Sequence, residues 1–159
     1  MEKLILLCGQ CDTGKTISLK MLTALLLPSS DDVTKPPKQT RTVIDLWKEI
    51  DRELKAQVHD TQNFGIVLKI NGKKIGIYTY GDSIPDINDG VDFFEKNPCD
   101  IGLMPCHPDK KHFDILVPKY ANIMMVLPKK AQKNSSIERQ YLENISMATK
   151  LHQIVISFI

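Results

Sequence analysis

Hydrophobic and polar residues follow two periods that alternate along the chain. Short apolar runs, typical of buried strands, are separated by stretches in which apolar residues recur every three or four positions, as on one face of a helix. The runs predict strands near 3–8, 64–70, 73–80, 100–106, 122–127 and 154–159, and the periodic stretches predict helices near 14–27, 40–60, 86–96, 113–120 and 137–152. Strands that alternate with helices predict an α/β fold with a mostly parallel sheet.

One pair of strands departs from this alternation, because only Asn71 and Gly72 separate them. Asn-Gly between two β-rich runs is the strongest short-range hairpin signal, so these strands should be antiparallel. The sequence therefore predicts a three-layer sandwich. Its central sheet has about six strands, mostly parallel with one antiparallel, and is flanked by helices.

The stretch 28–39 is polar and rich in proline, and it precedes the helix predicted over 40–60. Such a stretch should be a mobile loop, because it can bury little apolar surface to offset the entropy of ordering it. A chain of 159 residues has the length of one domain. We therefore expect a single domain over 1–159, with a mobile loop and helix insertion at about 28–60.

Composition narrows the class of protein without identifying it. Apolar content of 42% and charged content of 25% are ordinary for a globular domain. The net charge of +2 is too small to indicate nucleic acid or an anionic membrane as a partner. The apolar run after Lys3 is too short for a signal peptide, and the run 22–27 is too short for a membrane span, which favours a cytoplasmic location.

The four cysteines, Cys8, Cys11, Cys99 and Cys106, raise the question of a metal or redox site. Cys8 and Cys11 form a C-x-x-C pair, but they also belong to a loop that matches more positions of another motif. The spacing of the cysteines fits no common zinc site. We therefore expect Cys8 to end the first strand and Cys11 to be a variable loop position.

Residues 9–16 follow the first predicted strand and match G-x-x-x-x-G-K-[ST] at each fixed position, Gly9, Gly14, Lys15 and Thr16. Gly9 lets the chain leave the strand sharply, and Gly14 lets the backbone approach a phosphate without a Cβ in the way. The amides of the loop and of the helix N-terminus then form an anion cradle. Lys15 can reach the β- and γ-phosphates, and the Thr16 hydroxyl can bind Mg²⁺.

At this motif the chain resembles the P-loop NTPase superfamily, whose Walker A motif has the same fixed residues. The resemblance implies Mg²⁺-dependent binding of ATP or GTP. It also implies that the phosphates contact the loop and the first helical turn, which comprise Gly9, Gln10, Cys11, Asp12, Thr13, Gly14, Lys15, Thr16 and Ile17.

Asp82 follows the apolar strand predicted over 73–80, the place where this superfamily carries a Walker B carboxylate. We expect Asp82 to bind Mg²⁺ directly or through water, together with Thr16. Lys15 and Asp82 are then the expected catalytic residues. The alternative is that Asp82 only caps the helix that follows it.

Four further residues are weaker candidates. His107, Lys129 and Lys130 follow predicted strands, and ligands of parallel sheets bind outside the carboxyl ends of the strands. They could contact phosphate, base or a water molecule. Arg41, at the start of the second predicted helix, could face a ligand. The alternative is that these are structural or solvated residues, as a lone histidine or a pair of exposed lysines more often is.

The subfamily stays open. Asp82 is not followed by the x-x-Gly of small GTPases, no Asn-Lys-x-Asp occurs, and no arginine falls in the loop after Cys106 where a kinase lid would need one. One candidate function is a nucleotide-binding NTPase that hydrolyses the triphosphate. The others are a nucleoside or nucleotide kinase with a small acceptor, and a non-catalytic module with a regulatory protein partner.

Overall fold

The computed structural model describes residues 1–11, 13–30, 32–34, 63–130 and 136–159. Its strands are β1 (Lys3–Cys8), β2 (Asp32–Thr34), β3 (Gly65–Ile70), β4 (Lys73–Tyr78), β5 (Ile101–Cys106) and β6 (Met124–Pro128). Its helices are α1 (Lys15–Leu26), α2 (Ile84–Lys96), α3 (Lys110–Tyr120) and α4 (Ile137–Ile156), and a 3-10 turn (Leu27–Ser29) follows α1.

The five longer strands form one sheet in the order β3-β4-β5-β1-β6. From β4 to β6 the neighbours are parallel, and β3 pairs antiparallel with β4. The short β2 adds an antiparallel pairing at the outer edge of β3. The prediction of an α/β fold with a mixed, mostly parallel sheet flanked by helices is confirmed.

The hairpin between β3 and β4 turns where the sequence predicts it. Asn71 has a φ of 50° and Gly72 a φ of 81°. Two successive residues with positive φ are what a type I′ turn requires, and its twist matches that of the paired strands. The turn fixes the register from Ile70–Lys73 to Gly65–Tyr78.

Side chains of β1 alternate between two hydrophobic cores, one on each face of the sheet. Ile5 and Leu7 face the core shared with α1 and α4, and Leu4 and Leu6 face the core shared with α2 and α3. A strand covered on both faces is apolar at every position, which is why β1 has no polar residue after Lys3. Both cores therefore fix the end of β1 and the start of the loop that follows it.

The pairing of β5 with β4 ends earlier than its pairing with β1. β5 pairs with β1 as far as Cys106, but with β4 only as far as Leu103. The carbonyl of Cys106 accepts from the Gly9 amide on the β1 side, so the preceding residue, Pro105, faces β4. Proline has no N–H to donate, and at this point β4 separates from β5.

The strand predicted over 154–159 is wrong, because α4 continues through this segment to Ile156. The segment is apolar and β-branched, which favours a strand locally. However, Ala148, Leu151 and Val155 are all buried in the core shared with α1. Their spacing of three and four residues continues the apolar face of a helix past the predicted end at 152.

Other boundaries shift by a few residues. α2 and α3 begin at Ile84 and Lys110, earlier than predicted, because Ser83 and Asp109 cap their N-termini. Within the stretch expected to be a loop, Asp32–Thr34 pairs with β3. The helix predicted over 40–60 lies outside the described residues. None of the described helices has the length and apolar character needed to cross a membrane.

Candidate functional site

The loop that joins β1 to α1 begins at Gly9, which is buried between two neighbours. A Cβ on Gly9 would lie 2.5 Å from the carbonyl oxygen of Lys129 and 2.8 Å from Oγ1 of Thr13. Because backbone cannot give way as a side chain can, glycine is needed here. The Gly9 amide donates to the Cys106 carbonyl, and the Lys129 amide donates to the Cys8 carbonyl. The ends of β5 and β6 thus hold the start of the loop.

The loop ends at Gly14, which immediately precedes α1. Gly14 has a φ of 76°, a left-handed conformation that costs other residues about 1–2 kcal/mol. A Cβ there would also lie 2.2 Å from Oδ1 of Asn144, a buried residue of α4. Gly14 has no side chain to cap the helix, and a helix N-terminus of this kind favours an anion.

The side chain of Lys15 turns back into the loop and is only 3% exposed. Its Nζ donates to the carbonyl oxygens of Gly9 at 2.9 Å and of Gln10 at 2.8 Å. It also lies 3.1 Å from Oδ1 of Asp82. These three partners match the three N–H donors of an ammonium group, so the protein itself satisfies the buried charge.

Asp82 reaches Lys15 across the end of β5, the strand that separates β4 from β1. The chain crosses at Gly81, where a Cβ would lie 2.3 Å from the carbonyl oxygen of Pro105. Glycine therefore lets the backbone pass directly over the point at which β4 separates from β5. The Asp82 side chain stays 58% exposed, in contrast to the ammonium group that it contacts.

Thr16 connects the first turn of α1 to the end of β4. Its Oγ1 donates to the carbonyl oxygen of Thr79 at 3.1 Å. The Thr79 hydroxyl in turn bonds to the backbone of Phe64, which fixes this strand end. A hydroxyl that donates keeps its acceptor lone pairs, so the Thr16 oxygen can still bind a cation.

Asp82 is not the cap of α2, which was the alternative role for this residue. The cap is Ser83, whose Oγ accepts from the Asp86 amide, and the Asp86 carboxylate accepts from the Ser83 amide at 3.0 Å. This capping box satisfies the start of the helix without Asp82. The carboxylate of Asp82 therefore contacts Lys15 and does not cap the helix.

His107 follows β5 and contacts the loop through Cys11. Its Nε2 lies 3.3 Å from Sγ of Cys11. The His107 amide donates to Nδ1 of His112 at 2.9 Å, and the His112 amide donates to Oδ1 of Asp109 at 3.0 Å. Burial lowers the pKa of His112, which keeps its ring neutral and its Nδ1 an acceptor. The His112 ring, itself positioned by Asp109, thus fixes the backbone of His107.

The two lysines after β6 have different surroundings. Lys129 is 7% exposed, and burial lowers the pKa of its amine. Its backbone also touches Gly9, as described above. Lys130 is exposed, as a solvated surface residue would be. The structure therefore places Lys129, rather than Lys130, against the loop.

The remaining predicted residues of the loop are placed as follows. Oγ1 of Thr13 donates to the Gln10 carbonyl at 3.0 Å, which tightens the turn between them. Ile17 is half-buried and packs against the core below α1. Asp12 and Arg41 lie outside the described residues.

Four residues that shape this edge of the sheet were not singled out by sequence reasoning: Thr79, Gly81, His112 and Asn144. A signal existed for His112, since Asp109 stands three residues before it at the usual capping distance. A signal existed for Gly81 too, because a glycine beside a candidate carboxylate indicates close backbone approach. Nothing in the sequence connects Asn144 with Gly14, which lies near the other end of the chain.

Within the described part of the chain, no group of three or more His, Cys, Asp or Glu side chains could hold a metal ion by itself. All four cysteines lie in this part and are free thiols, with Cys11 exposed and the others buried. Burial raises the pKa of Cys99 to about 11, and it raises the pKa of Cys106 as well. The thiols of Cys99 and Cys106 therefore stay protonated at neutral pH.

Comparison of the chain with protein-family models, with curated proteins and with solved structures gives no match. A function for the protein therefore has to be inferred from the loop, the lysine and the carboxylate whose geometry is given above.

Proposed function

We propose that this protein binds ATP or GTP with Mg²⁺ at the loop between β1 and α1, and that it hydrolyses the nucleotide as a small P-loop NTPase. The observation that carries the proposal is the position of Lys15. Its buried ammonium group is held between two loop carbonyls and one exposed carboxylate, beside the N-terminus of a helix. A cation and a helix N-terminus together favour a polyanion such as a triphosphate.

The cost of burying Lys15 supports a role in binding rather than in stability. Taking a charge out of water costs several kcal/mol per ion, even after the surroundings relax. A packed apolar residue of similar volume is often as stabilising as a buried ion pair. A buried ammonium group next to an exposed carboxylate is therefore better explained by a ligand that needs the charge.

The partners of Lys15 differ in how easily a ligand can replace them. The carbonyls of Gly9 and Gln10 are part of the loop backbone and keep the ammonium group oriented. Asp82 is an exposed side chain that can move into solvent at little cost. A phosphate oxygen can therefore take the position of Asp82 on Nζ, and the carboxylate stays beside the site as an oxygen ligand.

The residues present fit a magnesium ion. Mg²⁺ prefers oxygen ligands and is usually bound by one or two protein groups together with substrate phosphates. Thr16 and Asp82 offer such oxygens. Thr16 is hydrogen-bonded to Thr79, which directly follows β4 and lies shortly before Asp82 in the chain. When bound, the ion neutralises phosphate charge and polarises the phosphoryl group.

The chain's own contribution to hydrolysis is to orient and stabilise the phosphates. The loop amides fix their position, and Lys15 stabilises the charge that develops on the phosphoryl oxygens as the bond breaks. His107, Lys129, Lys130 and Arg41 stay predicted contacts to phosphate, base or water.

The proposal includes the finer features expected from the sequence. These are a three-layer sandwich of about six strands and a single nucleotide-binding domain over 1–159. A cytoplasmic location is part of the same proposal.

A substitution at Lys15 tests the proposal. Lys15→Met keeps most of the aliphatic stem and removes the charge, and Lys96→Met, at the exposed end of α2, is the matched control. Hydrogen bonds to charged groups contribute about 1.5–3 kcal/mol, so we expect affinity for Mg-ATP or Mg-GTP to fall roughly 10- to 100-fold in Lys15→Met alone. Titration calorimetry on folded protein measures this change.

Unchanged affinity in a folded Lys15→Met protein, or no binding by the unsubstituted protein, would refute the proposal. Phosphate release without an added acceptor supports hydrolysis. Turnover that requires a nucleoside or nucleotide would indicate a kinase, and binding without turnover would indicate a regulatory module.

A further inference from the structure

The proposed function gives no role to the thiol of Cys11, which lies in the loop between β1 and α1. Among the four cysteines, Cys11 is the exposed one, and Nε2 of His107 lies 3.3 Å from its sulfur. An imidazole nitrogen at this distance can accept the thiol proton. A thiol beside an imidazole is the usual arrangement of a reactive cysteine.

The surroundings of His107 favour this proton transfer. Oδ2 of Asp109 lies 4.0 Å from Nδ1 of His107, on the side of the ring away from Cys11. The hydrogen bond from the His112 amide lowers the pKa of Asp109, so this carboxylate is ionised at neutral pH. Its charge stabilises the imidazolium that forms when Nε2 takes up a proton. The neighbouring ring of His112 is neutral, as shown above, and does not oppose that charge.

We propose that Cys11 is a site of reversible thiol–disulfide exchange with small disulfides, and that the mixed disulfide closes the loop to nucleotide. Nε2 of His107 accepts the thiol proton, and the Cys11 sulfur attacks one sulfur of the disulfide. A new S–S bond forms as the old one breaks, and the departing thiolate takes the proton and leaves as a thiol. Cys11 is oxidised and the departing half of the disulfide is reduced, so no other oxidant is needed.

The second half of the proposal, closure to nucleotide, rests on the proposed function. Cys11 is bonded to Gln10, whose carbonyl holds the ammonium group of Lys15. A glutathionyl group on Cys11 would place carboxylates and considerable volume beside the predicted phosphate position. It would also remove the contact between Cys11 and His107.

The first experiment measures reactivity and does not involve nucleotide. The protein is treated with glutathione disulfide at pH 7, and the rate and position of modification are followed by mass spectrometry. We expect one glutathione per chain, on Cys11, because the other three thiols are buried. Modification of a buried cysteine in preference to Cys11 would overturn the proposal.

Variants test the part played by His107. An ordinary thiol is only a few per cent ionised at neutral pH, so a base can raise the exchange rate by at most about 30-fold. The accompanying loss of nucleophilicity reduces this gain to roughly three- to fivefold. We expect His107→Gln to slow the reaction by that factor and His152→Gln, on α4, to leave it unchanged.

Asp109→Asn keeps the role of helix cap, since asparagine caps as well as aspartate, and removes only the charge. It should slow the reaction by a smaller factor. It therefore provides an answer if His107→Gln does not fold. Equal rates of glutathionylation in the unsubstituted protein, in His107→Gln and in Asp109→Asn would refute the role of the His107 imidazole as the base.

The second experiment measures affinity for Mg-ATP and Mg-GTP before modification, after it, and after reduction with dithiothreitol. We expect at least a tenfold loss that reduction reverses, and no effect of the same treatment on Cys11→Ser. Unchanged affinity in the modified protein would refute the proposal that the mixed disulfide on Cys11 closes the loop to nucleotide. If the untreated protein binds no nucleotide, the proposed function fails, while the reactivity of Cys11 is judged from the first experiment.

Discussion

Replacing Gly81 with alanine tests how the carboxylate reaches the loop. The added Cβ would lie 2.3 Å from the carbonyl oxygen of Pro105 and 2.8 Å from its carbonyl carbon. Real Cβ contacts are essentially never under 3.0 Å, so one of the two segments must move by about 0.7 Å. β5 is a central strand paired with β1, and the segment that carries Asp82 will therefore be the one to move.

The size of the effect follows from this displacement. Overpacking a well-packed site costs about 1–3 kcal/mol, and the contact with backbone leaves little room for relief. We expect Gly81→Ala to lower the free energy of unfolding by about 2 kcal/mol, which in a chain of this length lowers Tm by roughly 4–8 °C. The separation of Lys15 and Asp82 should increase from 3.1 Å to nearly 4 Å, which weakens the ion pair.

Gly72→Ala is the matched control for this substitution. Gly72 has a φ of 81°, and no atom lies within 4 Å of its added Cβ. Alanine there should cost only the strain of the left-handed conformation, about 1–2 kcal/mol, and leave the site intact. Urea unfolding and nucleotide titration with and without Mg²⁺ compare the two variants. A Gly81→Ala protein with unchanged stability and unchanged Mg²⁺-dependent affinity would refute this account of the crossing.

Two further predictions concern charge. Asp82→Asn should weaken nucleotide binding in Mg²⁺ about tenfold or more and leave binding in EDTA unchanged or stronger, because only the metal needs the carboxylate. An equal loss in both titrations would contradict a metal role. The pKa of His112 is lowered from 6.5, so the unfolded chain takes up its proton first and stability is lost as the pH falls below 6.5. In urea unfolding, His112→Gln should reduce this loss by at most about 1.4 kcal/mol per pH unit, and an unchanged pH dependence would argue against a buried neutral ring.

Patterns of nearby residues predicted much of this fold. The strand, loop and helix around residues 9–16 and the hairpin at Asn71 and Gly72 appear where the sequence places them. In each case, the residues that determine the conformation are neighbours in the chain. For 154–159 the sequence predicts a strand because its composition favours one, but α4 extends into this segment as far as Ile156 because its apolar face packs against α1. Local preference and tertiary packing disagree there, and packing determines the structure.

The sequence predicts which strand ends carry the residues of the candidate site. It does not predict which of those residues contact one another. The sequence indicates that Lys15 and Asp82 follow strands of one sheet. It does not indicate that β5 lies between those strands, or that Gly81 lets the backbone cross over it. The contact of Asn144 with Gly14 depends on where α4 packs against α1. Such contacts between distant segments become visible only when the whole sheet is assembled.

The central position of β1 has a consequence for folding during synthesis. β1 is made first, yet its partners on either side, β5 and β6, are made only after most of the described chain, and α4 packs against α1 later still. Contacts of such long sequence separation form slowly, because a long loop must be closed before they stabilise anything. The apolar run of β1 therefore stays unpaired until β5 and β6 have been synthesised, and during that time it is exposed to aggregation or to chaperones. The loop that follows β1 gains its shape only when β5, β6 and α4, which are distant from it in sequence, have packed around it.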